Sequence, residues 1–127
     1  MRIFRKIFNF SKKLIVTSNS EVLVEEIRAT LAEVMEQNQN IVGQSYTTSG
    51  FNNHELVSDA VYFVYDCLEG IKFEYSDTEL VEAVLAEIRS KRHVFESKIY
   101  DPDGIISGTL VDIENALKQK FSPKALD

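Results

Sequence analysis

Asn53-His54-Glu55-Leu56-Val57-Ser58-Asp59-Ala60-Val61-Tyr62-Phe63-Val64-Tyr65-Asp66-Cys67-Leu68-Glu69-Gly70 is the stretch on which the reading of the fold turns. Val57, Ala60, Val61, Val64 and Leu68 recur at helical spacing, and Leu56, Phe63 and Cys67 widen that apolar face to the breadth expected of a central helix. Asn53 is the expected cap and Gly70 the expected stop. On the opposite side Glu55, Asp59, Tyr62, Asp66 and Glu69 recur at steps of four, three, four and three residues. That spacing puts four carboxylates and one tyrosine on a single face. Like charges four residues apart cost helix stability, so the face reads either as solvated surface or as a binding stripe. As a stripe it suits a basic partner, because a tyrosine supplies contact area while the carboxylates steer encounter and complement Lys and Arg.

Upstream, Val24, Ile27, Leu31 and Val34 predict another helix. Ser20 is its expected N-cap, Glu21, Glu25 and Glu26 favour the positive end of its dipole, and the polar run Gln37 to Asn40 is its expected end. Residues 41–53 read as a loop with a short strand at 44–48. Downstream, Ile71, Phe73 and Tyr75 alternate with Lys72 and Glu74, as in a short strand or an extended linker. Ser76 and Glu79 form an expected capping box for a helix through Leu80, Val81, Val84, Leu85 and Ile88 to the basic Lys91, Arg92 and His93. Residues 94–100 are short and mixed. Asp101-Pro102-Asp103-Gly104 is a turn, since Pro presets its second position and Gly tolerates a positive φ. Leu110, Ile113, Leu117 and Phe121 predict a last helix, with Lys118 and Lys120 near its end and Pro123 beyond. The sum is a mainly α, bundle-like single domain over residues 1–127 with four to five helices and room for short strands. An α+β domain is the alternative, because of 71–75 and 94–100.

The chain has 127 residues with 44% hydrophobic and 27% charged content, enough to bury a core without staples. Its one cysteine, Cys67, excludes an intrachain disulfide and fits a reducing, cytoplasmic setting. Charge is uneven. Residues 1–13 hold Arg2, Arg5, Lys6, Lys12 and Lys13 with no acid, so the rest carries nine basic against twenty acidic residues, a net charge of -11. Such a body repels phosphate backbones, which disfavours nucleic acid and favours basic proteins. Residues 1–16 set Ile3, Ile7, Phe10 and Leu14 at helical spacing, with Phe4 and Phe8 beside them. This basic amphipathic segment is expected to be retained rather than cleaved as a signal, and to dock on the acidic body or on an anionic membrane surface.

No catalytic constellation stands out. His54 and His93 lie on different elements without the partners that zinc requires. The segment Asp101, Asp103, Gly104, Ile106 matches the middle of a calcium loop, but Ile99 and Leu110 occupy that loop's first and twelfth positions, where ligands are needed. Phosphate-loop, dinucleotide and nucleophile-elbow patterns do not occur. The expectation is a protein that is not an enzyme and uses no metal or cofactor.

In the second half, Ser76, Glu79, Leu80, Val81 and Val84 look like the capped acidic helix opening S-x-E-E-L-V, and Ile99, Tyr100 and Pro102 look like a short I-Y-Y-P helix. The pair resembles the bacteriocin immunity proteins that inactivate colicin- and pyocin-type nucleases. Asp101 stands where that motif has its second tyrosine, Ser97 where it has an aspartate, and the chain has no tryptophan. The resemblance implies a four-helix acidic inhibitor, with Tyr100, Glu79, Glu82 and Asp101 touching a basic nuclease toxin. The expected function is therefore a non-enzymatic immunity or antitoxin-type inhibitor. Its interface is expected either at these residues or at Tyr62 and its flanking carboxylates. A cytosolic adaptor or secretion-type chaperone and a membrane-peripheral regulator are the alternatives, and the oligomeric state is left open.

Overall fold

A computed structural model describes residues 21–43 and 52–121. Among these residues there are four helices and no strand: α1 (Glu21–Val42), α2 (Asn53–Ile71), α3 (Asp77–Ser97) and α4 (Ile105–Phe121). The basic segment 1–16, the cap assigned to Ser20, the strand assigned to 44–48 and Pro123 lie outside the described residues. The bundle-like α reading holds, and the α+β alternative does not.

Each helix turns its predicted stripe inward. Val24, Ile27, Leu31 and Val34 of α1 meet Leu56, Ala60, Val61, Val64 and Leu68 of α2 in one core, with Leu80, Val84, Leu85 and Ile88 of α3 and Ile106, Leu110, Ile113 and Leu117 of α4. The 54–69 helix is central as expected, but it shares that place. Both α2 and α4 pack against all three other helices, while α1 and α3 stand apart across them. The buried hydroxyls of Thr30 and Thr109 donate to the carbonyls of Glu26 and Ile105 one turn back, so neither is an unmet polar group.

The element boundaries depart from expectation where polar side chains found distant partners. The polar run 37–40 does not end α1. Asn38 donates to the Val34 carbonyl, and the Gln39 amide donates to the His54 carbonyl at 3.1 Å and to Ser58 Oγ at 3.0 Å. His54 Nε2 returns a bond to the Gln39 carbonyl at 3.0 Å, a reciprocal clasp that ties the end of α1 to the start of α2. Gly43, at φ 71°, then closes α1 with its N–H on the Gln39 carbonyl. The cap of α2 is Asn52, one residue earlier than expected, accepting from the N–H groups of His54 and Glu55 at 2.8 and 3.4 Å. Asn53 is instead inside the helix, its amide on the Val42 carbonyl.

Gly70 does not stop α2, which runs on to the buried Ile71. Residues 72–76 are a turn rather than a strand, with the Glu74 N–H on the Ile71 carbonyl at 2.9 Å. Their alternation arose because Ile71 is the last core residue of one helix and Tyr75 packs on the core before the next, leaving Phe73 exposed. Ser76 does precede α3, but its hydroxyl meets the Glu79 carboxylate and the Thr78 hydroxyl rather than a backbone N–H. Helix α3 continues past the basic Lys91 to His93 because Phe95 stacks on Phe63 of α2, with centroids 4.4 Å apart and planes 7° apart. Arg92 adds a bond to Glu96 and reaches the half-buried Glu114 of α4. So 94–97 are the last turn of α3 and 98–100 the turn that follows.

Candidate functional site

With the apolar side of α2 committed to the core, its other side is fixed in solvent. Glu55, Asp59, Tyr62, Asp66 and Glu69 are all exposed, Tyr62 by 54%. The sequence spacing and the packed helix therefore place the same five side chains on one face. Tyr62 leans toward Tyr65, with ring centroids 6.0 Å apart, and the Tyr65 hydroxyl donates to the Arg28 carbonyl of α1 at 3.4 Å. Burial first, and then the neighbouring Tyr62, push the Tyr65 phenol above its ordinary range.

The two ends of this face differ electrostatically. At the C-terminal end Glu69 is clamped by Lys72 at 2.7 Å and by the Arg28 guanidinium, which also holds Glu25 at 2.6 Å. The bond from Lys72, then that from Arg28, hold the Glu69 carboxyl below the usual carboxylate range. Its contribution to stability is present above the unfolded value and is lost as pH falls through the lowered folded one. Toward the N-terminal end, no cation among the described residues pairs with Glu55, Asp59 or Asp66. Burial, and then the charge of Glu55 one turn back, push the Asp59 carboxyl above its ordinary range. The sign is opposite to that at Glu69: stability from Asp59 is present in acid and lost as pH rises through its folded value.

The other sequence candidates do not join this face. Glu79 and Glu82 are exposed near the start of α3, with Glu79 taking the Ser76 hydroxyl. Tyr100 is 65% exposed beyond the far end of the same helix. At about 1.5 Å per residue, the length of α3 between Glu79 and Ser97 is roughly 27 Å. Glu79 and Glu82 on one side and Tyr100 on the other, which the resemblance brings into one interface, therefore lie at opposite ends of α3. Residues 98–100 also form a turn where that motif implies a short helix.

Asp101 is engaged within the fold. One oxygen accepts the Ile105 N–H at 2.8 Å, and the other accepts those of Ile106 and Ser107 at 3.1 and 3.2 Å, at the positive end of the α4 dipole. Asp101→Ala is expected to lower stability by about 1–2 kcal/mol, as thermal melts of the variant would check. Sequence reasoning missed Arg28 and Tyr65. Tyr65 at three residues from Tyr62 was a usable local cue, whereas Arg28 meets Glu69 across 41 positions and leaves none.

Cys67, on the core side of α2, is 3% exposed, and burial pushes its thiol up to about 11, so it packs as a small hydrophobe. Comparison with protein-family models, curated proteins and solved structures found no match for the chain.

Proposed function

We propose that this chain is a non-enzymatic acidic binding protein that receives a basic protein on the outer face of α2, in the manner of an immunity or antitoxin-type inhibitor masking a basic bacterial toxin domain. The observation that carries this reading is the exposed Tyr62 ring standing between Asp59 and Asp66, neither of which pairs with a cation among the described residues. The like charge of Glu55 one turn back works against an ionised Asp59. A basic side chain arriving there offsets that repulsion and adds a charge-assisted hydrogen bond. Among the described residues the other exposed large apolar side chains, Val22, Ile41, Phe73, Val94, Tyr100 and Val111, are spread over the helices and the turns at 72–76 and 98–100. That scatter favours the acidic face over a chaperone-type apolar surface.

The test is titration calorimetry of the full chain against a basic colicin-type nuclease domain, or any such domain found in a neighbouring reading frame, repeated with Asp59→Asn/Asp66→Asn. The double variant is expected to bind at least about tenfold more weakly, with a shallower loss of affinity as salt rises. It should also melt at the same temperature or slightly higher, because the like-charge pair at i,i+4 that it removes costs about 0.2–0.5 kcal/mol. Equal affinity of the two proteins at low salt would refute the α2 face as the interface.

A further inference from the structure

We propose that the groove between α1, α3 and the end of α4 is the seat of this chain's own basic amphipathic segment, Ile3 to Leu14. The groove, about 610 Å³, opens where α1 and α3 stand apart and the core comes to the surface. Leu85 and Leu117 form its fully buried floor, and Leu23, Val81 and Phe121 are half-buried walls packed on that core. Its rim carries Glu26 and Glu82, with Lys118 and Lys120 on the α4 side.

Three features select the occupant. The first is position: α1 begins at Glu21, two residues before the Leu23 wall, so the upstream chain enters at the groove's edge. Six residues, 15–20, separate the segment from α1, and at no more than about 3.3–3.6 Å each their contour allows a span of roughly 20 Å. The second is shape and chemistry. As a helix at about 1.5 Å per residue the segment is roughly 18 Å long, and its Ile3, Phe4, Ile7, Phe8, Phe10 and Leu14 offer bulky apolar side chains to an apolar trough. The third is charge: the segment carries Arg2, Arg5, Lys6, Lys12 and Lys13 with no acid, against a body at -11. Glu26 and Glu82 make ion pairs with no cation among the described residues. A tethered segment acts at an effective concentration near millimolar, so modest contacts suffice to hold it.

The experiment is cross-linking of the full chain. Phe8→Cys is combined either with Val81→Cys in the groove or with Val94→Cys, an exposed position near the other end of α3, and each is treated with a short bismaleimide. Native Cys67, 3% exposed, does not compete. The 8–81 pair is expected to link within one molecule at least tenfold faster than the 8–94 pair. Equal rates, or a product linked between two molecules, would overturn the proposal.

Hydrogen exchange on the unmodified chain in lipid-free buffer gives a second measurement. Amides of residues 3–14 are expected to exchange at least tenfold more slowly than in the isolated peptide, and Val81→Asp is expected to abolish the difference. Protection that arises only with phosphatidylserine vesicles would assign the segment to a membrane surface and overturn the groove as its seat.

Discussion

Tyr62→Ala is expected to weaken binding of the basic partner proposed for the α2 face by at least about 30-fold, about 2 kcal/mol or more, while moving the thermal midpoint by no more than about 2 °C. The two halves of that expectation come from the same placement. Tyr62 is 54% exposed, and its one ring neighbour among the described residues is Tyr65 at 6.0 Å, so the core loses almost nothing when it is cut. In a complex, the same ring would be the only large apolar group on a face otherwise made of carboxylates, where aromatic anchors concentrate binding energy. Calorimetry and melting of the one variant measure both quantities. Tyr100→Ala is the matched control, equally exposed but beyond the end of α3. If Tyr100→Ala costs affinity and Tyr62→Ala does not, the interface belongs to the turn before α4 and the α2 reading fails.

The largest effect on stability is expected from Leu110→Ala, a loss of about 2–5 kcal/mol and a fall in midpoint on the order of 10 °C. Leu110 is fully buried on α4, and α4 touches each of the other three helices, so a void there has walls on several sides that cannot all collapse into it. The adjacent Val111 is 46% exposed, and Val111→Ala should stay within about 0.5 kcal/mol. Chemical denaturation of the pair checks the contrast. A Leu110→Ala variant within about 1 kcal/mol of the parent would mean that α4 is peripheral.

The helices were legible because each buries a stripe at alternating three and four residues, and that period survives whatever the partner is. Boundaries were less legible where local rules met long-range bonds. Gln39 reads as a helix terminator until His54 and Ser58 are beside it, and the 94–97 segment reads as irregular until Phe95 finds Phe63. The alternation at 71–75 imitated a strand because a helix end and a core-packing Tyr75 happened to be an even number of residues apart.

The acidic face of α2 was legible for the same reason as its core face, since one period dictates both. The distance from Glu79 to Tyr100 was not legible. It is set by how far α3 runs, and a motif comparison carries residues over without the helix length between them. Asp101 shows the complementary limit: an acid in a turn is equally a contact or a cap until the N–H groups of Ile105, Ile106 and Ser107 are found facing it.

Asp59 has a consequence for how this protein responds to selection. Its carboxylate has no cationic partner among the described residues, and burial and then the Glu55 charge work against its ionised form. A library sorted for heat resistance alone is therefore expected to tolerate a neutral residue at position 59. One sorted for capture of a basic protein is expected to keep the acid. The two searches treat the same residue differently, and the sequence as it stands retains the acid.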